Sequence, residues 1–201
     1  MKDRVLIIAE AGVNHNGDLR LAMELVRAAG RCGADAVKFQ TFSAEELLTR
    51  EAPKAEYQLR TTEASESQFD MIKRLELPEE AYQHLVASCR EESILFLSTP
   101  FDHPSVRLLD RLGVSVYKVA SGELVNLPLL EDIASRGKPM FVSTGMSNIG
   151  EVESAVNTIE SAGNNEYVLL HCVSNYPADS ADVNLSAMHT MSVSYTHLRA
   201  H

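Results

Sequence analysis

Ala36-Val37-Lys38-Phe39-Gln40-Thr41, residues 36–41, is an apolar run that ends in polar residues, and its reading decides the fold. The same pattern returns at Ala9-Glu10, Leu97-Ser98-Thr99, Tyr117-Lys118 through Ser121-Gly122-Glu123, Val142-Ser143-Thr144 and Leu170-His171-Cys172. Most of these runs follow a helix-like stretch that closes on glycine. Strand–helix alternation of this kind builds a parallel sheet. In a closed parallel barrel the C-terminal strand ends converge on one face, where the chemistry is done. The sequence therefore predicts an α/β fold built on a parallel sheet, either open or closed into a barrel. Its strand-end face would collect two lysines, two carboxylates and a ring of hydroxyls, which is an anion-handling site.

Within the opening stretch, Lys38 and Gln40 share parity and Phe39 points the other way. A lysine on the inner face needs compensation, because burying an unpaired ammonium is expensive. A bound anion supplies it, and so does an ion pair to Glu10 or Glu123; both readings stand at this point. Lys118 repeats the situation on the fourth strand. Two strand-end lysines with Ser121 and Ser143 favour phosphate or carboxylate, toward which lysine acts as a point charge.

Glu10 and Glu123 each read as lying just past a strand end. They either pair with those lysines or serve polyol binding and acid–base work. Ser98-Thr99-Pro100 and Ser143-Thr144-Gly145 offer hydroxyls and backbone N–H groups near helix starts, which suit oxyanions, although Ser and Thr also commonly cap helices. His15 and His171 are the histidines nearest this face and read first as hydrogen-bonded structure. There is no HxH or HExxH pair, so no complete metal site is expected in this chain. Asn175-Tyr176-Pro177 reads equally as a stiff turn and as a substrate wall.

Composition bounds the partners. The 201 residues carry a net charge of −10, with 45% hydrophobic and 23% charged residues. That balance argues against nucleic acid, which demands a basic face, and leaves room for a small anion because local lysines dominate a cleft field. The three cysteines, Cys32, Cys89 and Cys172, contain no CxxC pair and read as reduced thiols. Met1-Lys2-Asp3-Arg4 leads only into a short apolar stretch and Glu10, against a signal peptide. No run approaches the ~20 apolar residues of a membrane span. The expectation is a cytoplasmic protein without a membrane partner.

Along the chain, strands are expected at Val5–Ala11, Ala36–Thr41, Ile94–Ser98, Val116–Ala120, Met140–Ser143 and Tyr167–Cys172. Asp18 is placed to cap a helix whose apolar face is Leu21, Ala22, Leu25, Val26 and Ala29. Further helices are expected over Pro78–Arg90, His103–Leu112, Leu127–Arg136, Ile149–Ala162 and from Asn184 to Met191. Phe42 to Leu77 is too long for an ordinary βα loop of about 2–6 residues, and small helices over Ala44–Thr49 and Ser67–Leu75 are expected within it. About six βα units are expected, two short of a closed barrel, so either the sheet is open or the chain stops before its fold does.

Read together, these segments resemble the sialic acid synthase family, of the N-acetylneuraminate, legionaminate and pseudaminate synthase type. The resemblance rests on Ile8-Ala9-Glu10-Ala11-Gly12 with Asn14-His15-Asn16-Gly17, on Ala34 to Thr41, and on Phe96-Leu97-Ser98-Thr99-Pro100-Phe101-Asp102. It continues through Tyr117 to Glu123, Asn126-Leu127-Pro128-Leu129-Leu130, Ser143-Thr144-Gly145-Met146 and His171 to Pro177. It implies a TIM barrel that condenses phosphoenolpyruvate with an N-acetylated hexosamine such as N-acetylmannosamine. The product would be a nine-carbon 2-keto sugar acid, with release of phosphate. It also implies a homodimer and a divalent metal, Mn2+ or Mg2+, that polarises the sugar aldehyde. Carried over by motif, Lys38, Thr99, Lys118, Ser121 and Ser143 hold phosphoenolpyruvate. Gln40, Ser174, Asn175 and Tyr176 border the same pocket, and Glu10 and Glu123 face the sugar and the reacting centre with Lys118.

The resemblance implies metal-binding histidines beyond the sixth strand, the first in a Gly-Tyr-Ser-Asp-His-like segment on strand seven that Ser192 to His197 echoes poorly. Residues 1–191 are thus expected to form a partial barrel and 192–201 a non-native tail. The family's C-terminal antifreeze-like domain is expected to be missing, and the chain is expected to be an inactive fragment. Two other classes remain: a Schiff-base aldolase using Lys118, and a non-catalytic module that binds phosphate or a sugar acid.

Overall fold

The computed structural model describes residues 5–50, 52, 67–175 and 177–194. The chain divides into two compact units, Met1–Gly113 and Val114–His201. Each holds a three-stranded, wholly parallel sheet.

In the first unit, β1 (Ile8–Gly12), β2 (Ala36–Thr41) and β3 (Leu95–Pro100) pair in that order. Helix α1 (Leu19–Arg31) joins β1 to β2. Its cap is as expected: Asp18 Oδ1 accepts from the Arg20 N–H at 2.7 Å and the Leu21 N–H at 3.3 Å. Caps of this type are worth about 1 kcal/mol. Ala22, Val26 and Ala29, spaced four and three apart, form its buried stripe. The connection from β2 to β3 contains α2 (Ala44–Leu47), α3 (Gln68–Leu75) and α4 (Glu79–Glu91). The two small helices expected in the long connection are therefore present. Lys73 ties them, reaching Glu45 on α2 and Glu76 just past α3. Helix α5 (His103–Arg111) follows β3 and is capped by buried Asp102, which accepts from the Ser105 N–H at 2.7 Å and the Ser43 N–H at 2.8 Å.

The first strand starts later than its apolar run. Val5, Leu6 and Ile7 are exposed, and Asp35 takes the Ile7 N–H on its carboxylate at 2.8 Å. Hydrophobicity marked the strand, but the parallel ladder begins at the Ile8–Ala36 pair.

In the second unit, β4 (Tyr117–Val119), β5 (Met140–Ser143) and β6 (Tyr167–Leu170) pair in order. A 3-10 turn (Ser121–Glu123) and α6 (Leu127–Ala134) follow β4, and α7 (Ile149–Ser161) follows β5 with an Asn148–Glu151 capping box. A second 3-10 turn (Ser180–Asp182) and α8 (Ser186–Ser194) follow β6. Tyr117, Val119, Met140, Val142, Tyr167 and Leu169 form one buried face of this sheet, 5% exposed or less. The other face carries Lys118, Phe141, Ser143, Val168 and Leu170 by strand alternation. No helix among the described residues is long and apolar enough to cross a membrane.

Candidate functional site

One face of the first sheet gathers four of the expected residues. Glu10 and Lys38 are opposite each other in the β1–β2 register, and Gln40 and Thr99 in the β2–β3 register. Lys38 Nζ lies 2.8 Å from Glu10 Oε2, with the lysine side chain 12% exposed and the glutamate 47%. Of the two readings of Lys38, the ion pair is therefore realised. Glu10 does not lie past a strand end, because β1 runs on through an irregularity between Glu10 and Gly12. Thr99 is buried, and its hydroxyl has no hydrogen-bond partner among the described residues. An orphaned buried hydroxyl costs about 1–3 kcal/mol, which a ligand accepting its proton would recover.

Beside this face, Ala11 and Val13 carbonyls fold the Asn14–Gly17 turn by accepting from the Asn14 and Asn16 N–H groups, both at 3.0 Å. His15 is buried at its centre, with its ring 6.0 Å from that of Phe39. His15 Nδ1 accepts from the Gly17 N–H at 3.0 Å, so the proton of the neutral ring sits on Nε2. Burial pushes the imidazole below its usual value. Nε2 is buried without a partner among the described residues.

The second unit holds a tighter cluster. Lys118 is 8% exposed. Its Nζ donates to the Val119 carbonyl and to Ser143 Oγ, both at 2.6 Å. Register explains the reach: Lys118 stands opposite Phe141, and Ser143 is two residues further along the same face. The Cys172 thiol also donates to Ser143 Oγ, at 3.3 Å. Ser121, in the turn after β4, accepts the Gly145 N–H on its Oγ at 3.0 Å. A methyl group at Gly145 would fall 2.7 Å from Ser174 Oγ, 2.8 Å from Ser121 Oγ and 3.1 Å from the Cys172 carbonyl. Ser121 and Ser174 thus converge over a glycine, and the Ser174 hydroxyl is buried without a partner among the described residues.

Other expected residues are placed differently. Glu123 ends the Ser121–Glu123 turn and accepts from Asn126 Nδ2 at 2.8 Å. Asn175 is exposed, and Tyr176 lies outside the described residues. His171 Nε2 is 2.6 Å from the Val183 carbonyl, a structural hydrogen bond. The backbone donors expected from Ser143-Thr144-Gly145 are committed internally: the Thr144 N–H to Leu170 O at 3.0 Å, and the Gly145 N–H to Ser121. Side chains, not these amides, are what this segment offers an oxyanion.

A nearly buried ammonium beside convergent hydroxyls is a donor set for a phosphate or carboxylate. Cys172 and Gly145 belong to it although the sequence reading did not single them out. Cys172 keeps the parity of Leu170 and Ser174 past the strand end, the one signal available for it. Among the described residues no three His, Cys, Asp or Glu side chains come together as a metal site.

Two parallel sheets in strand–helix order, with ammonium and hydroxyl groups on the strands and just past their ends, define an α/β protein of the TIM (β/α)8 type with six βα units among the described residues. The chain belongs to the NeuB family, whose profile matches residues 25–199. It is 48% identical over 190 residues to the N,N′-diacetyllegionaminic acid synthase of Campylobacter jejuni, covering 94% of this chain and 57% of that protein. It is 50% identical over 189 residues to the enzyme of the same name from Legionella pneumophila, covering 92% and 53%. The chain thus spans a little over half the length of these curated relatives. Among solved structures, the N-acetylneuraminic acid synthetase of Leptospira borgpetersenii in complex with citrate superposes with a TM-score of 0.84 at 34% identity. That match covers 98% of this chain and 64% of the other.

Proposed function

We propose that this chain carries the phosphoenolpyruvate-binding part of a synthase that condenses phosphoenolpyruvate with an N-acetylated hexosamine. The product is a nine-carbon 2-keto sugar acid, and inorganic phosphate is released. The observation that carries the reading is the Lys118–Ser143 pair with Ser121 and Ser174 converging over Gly145. Lys118 supplies charge to the phosphate or carboxylate, and the three hydroxyls supply directed donors in a site with little water to compete. Lys38, Gln40 and Thr99 on the first unit's sheet are assigned to anion binding in this proposal, Lys38 alongside its ion pair to Glu10 and Thr99 through a hydroxyl with no partner among the described residues. Glu10 and Glu123 are assigned to sugar hydroxyls and proton transfer, Asn175 and Tyr176 to the pocket wall.

The names of the relatives at 48% and 50% identity favour a diacetamido hexose over N-acetylmannosamine as acceptor. The proposed assembly is a homodimer, and the proposed barrel portion is residues 1–191.

The Schiff-base alternative requires Lys118 as a neutral amine. Its Nζ donates at 2.6 Å to a carbonyl and a hydroxyl, contacts that an ammonium and a neutral amine can both make, so trapping decides between them. Thermal shift and trapping separate the readings. Phosphoenolpyruvate should raise the melting midpoint more than pyruvate or phosphate does at equal concentration. Borohydride with pyruvate should leave no adduct on Lys118 by mass spectrometry. A trapped Lys118 adduct would establish the aldolase reading instead, and no shift with any of the three would remove the anion site.

A further inference from the structure

We infer that Cys172 and Gly145 are positioning residues that set the direction of the Ser143 and Ser121 hydroxyl protons, so that both hydroxyls face an oxyanion beside Lys118 as donors. The inference rests on the phosphoenolpyruvate reading and deepens it.

A serine hydroxyl has one proton to give and two lone pairs to receive. Ser143 Oγ receives the Lys118 ammonium at 2.6 Å and the Cys172 thiol at 3.3 Å. Both acceptor positions are filled, so the hydroxyl's remaining capacity is to donate. A phosphate or carboxylate ligand presents acceptors almost exclusively, and a serine free to turn its lone pairs outward would repel it. The thiol removes that orientation. Ser143 is 5% exposed, so little bulk water competes for the vacant direction.

Ser121 is held less completely, with one of its two lone pairs filled by a different donor. Its Oγ receives the Gly145 N–H at 3.0 Å, which leaves the O–H for a ligand. Any side chain at 145 would crowd both hydroxyls. A Cβ there would lie 2.8 Å from the oxygen that the same residue's amide must hold, and 2.7 Å from Ser174 Oγ. Both oxygens would have to move, breaking the alignment of Ser121 and displacing the Ser174 hydroxyl, which has no partner among the described residues. Gly145 thus supplies a donor and leaves the space into which two hydroxyls converge. Cys172 contributes twice, through its thiol on Ser143 and through its carbonyl 3.1 Å from that same space.

The test is calorimetric titration of the 201-residue chain with phosphoenolpyruvate and, separately, with inorganic phosphate. The parent is compared with Cys172→Ser, Cys172→Ala, Gly145→Ala and Lys118→Ala, with the melting midpoint of each sample read alongside. Cys172→Ser keeps a hydroxyl donor and should bind within about twofold of the parent, whereas Cys172→Ala should weaken binding about 5-fold, one neutral hydrogen bond. Gly145→Ala should weaken it roughly 10-fold or more, since it disturbs two hydroxyls. A packing role for Cys172 would make serine and alanine alike. Equal affinities for the parent and Cys172→Ala, or equal weakening by Ser and Ala, overturn the inference. If Lys118→Ala abolishes binding in that case, the anion reading survives alone. A parent chain that binds neither ligand overturns both.

Discussion

The Lys38 ammonium lies 2.8 Å from the Glu10 carboxylate, and the two residues face each other across the β1–β2 ladder. The pair is unevenly buried, with Lys38 at 12% exposure and Glu10 at 47%. Removing the exposed partner strands a nearly buried cation, whereas removing the cation leaves a carboxylate that water reaches. Glu10→Gln should therefore cost about 1 kcal/mol, and Lys38→Met less, despite deleting the same ion pair. Urea melts of the two variants test this, and a larger loss in Lys38→Met would refute it.

Gly17 should be far less replaceable than Gly33. Both have a left-handed backbone, φ +77° and +78°. A methyl at Gly33 meets nothing within 4 Å, but one at Gly17 would sit 2.3 Å from the Arg74 carbonyl oxygen. Gly33→Ala should thus cost about 1 kcal/mol for conformation alone, and Gly17→Ala about 3 kcal/mol because backbone at the end of α3 must yield. Equal losses in equilibrium unfolding would show that the turn and α3 do not pack as described.

His15 should make stability fall with acid. Its imidazole is pushed below the ordinary value by burial, while the unfolded chain takes up that proton near pH 6.5. The unfolded state therefore binds more protons as the pH drops below about 6.5, and stability declines toward the lower folded-state value; above that pH the contribution is complete. Melting midpoints between about pH 7.5 and 5.5 should slope downward in the parent and less steeply in His15→Gln. Identical slopes would mean that His15 takes up its proton alike in both states.

Thiol reactivity should separate two cysteines. Cys32 is exposed, whereas Cys89 is buried with its thiol pushed up to about 12 by desolvation. Because the thiolate is the reacting form, a disulfide reagent should modify Cys32 in the native protein and Cys89 only after denaturant. Prompt native labelling of Cys89, located by peptide mapping, would contradict the packing of α4 against the first sheet.

Strands β2 and β5 carry the bounds read from the sequence, since alternation inside them and the glycine or proline just ahead leave little freedom. Strand β1 does not, because Val5-Leu6-Ile7 is apolar yet exposed, and hydrophobicity does not report where a ladder starts. The parity of Lys38 and Gln40 was legible in the same way, as were the ordered motifs that carry the family. Which compensation Lys38 finds was not, because an ion pair is a tertiary distance. Nor were the roles of Cys172 and Gly145. Both depend on which lone pair of which serine is already occupied, and residue type and spacing do not encode that.

Phosphoenolpyruvate binding by Lys118 and its hydroxyl neighbours is what we propose for this chain. The most direct measurement is the phosphorus NMR signal of phosphoenolpyruvate titrated with the chain and with Lys118→Ala. A saturable shift or broadening is expected with the parent and should disappear in the variant, while the variant still melts cooperatively. An unchanged signal with the parent, or the same response from both proteins, would contradict it.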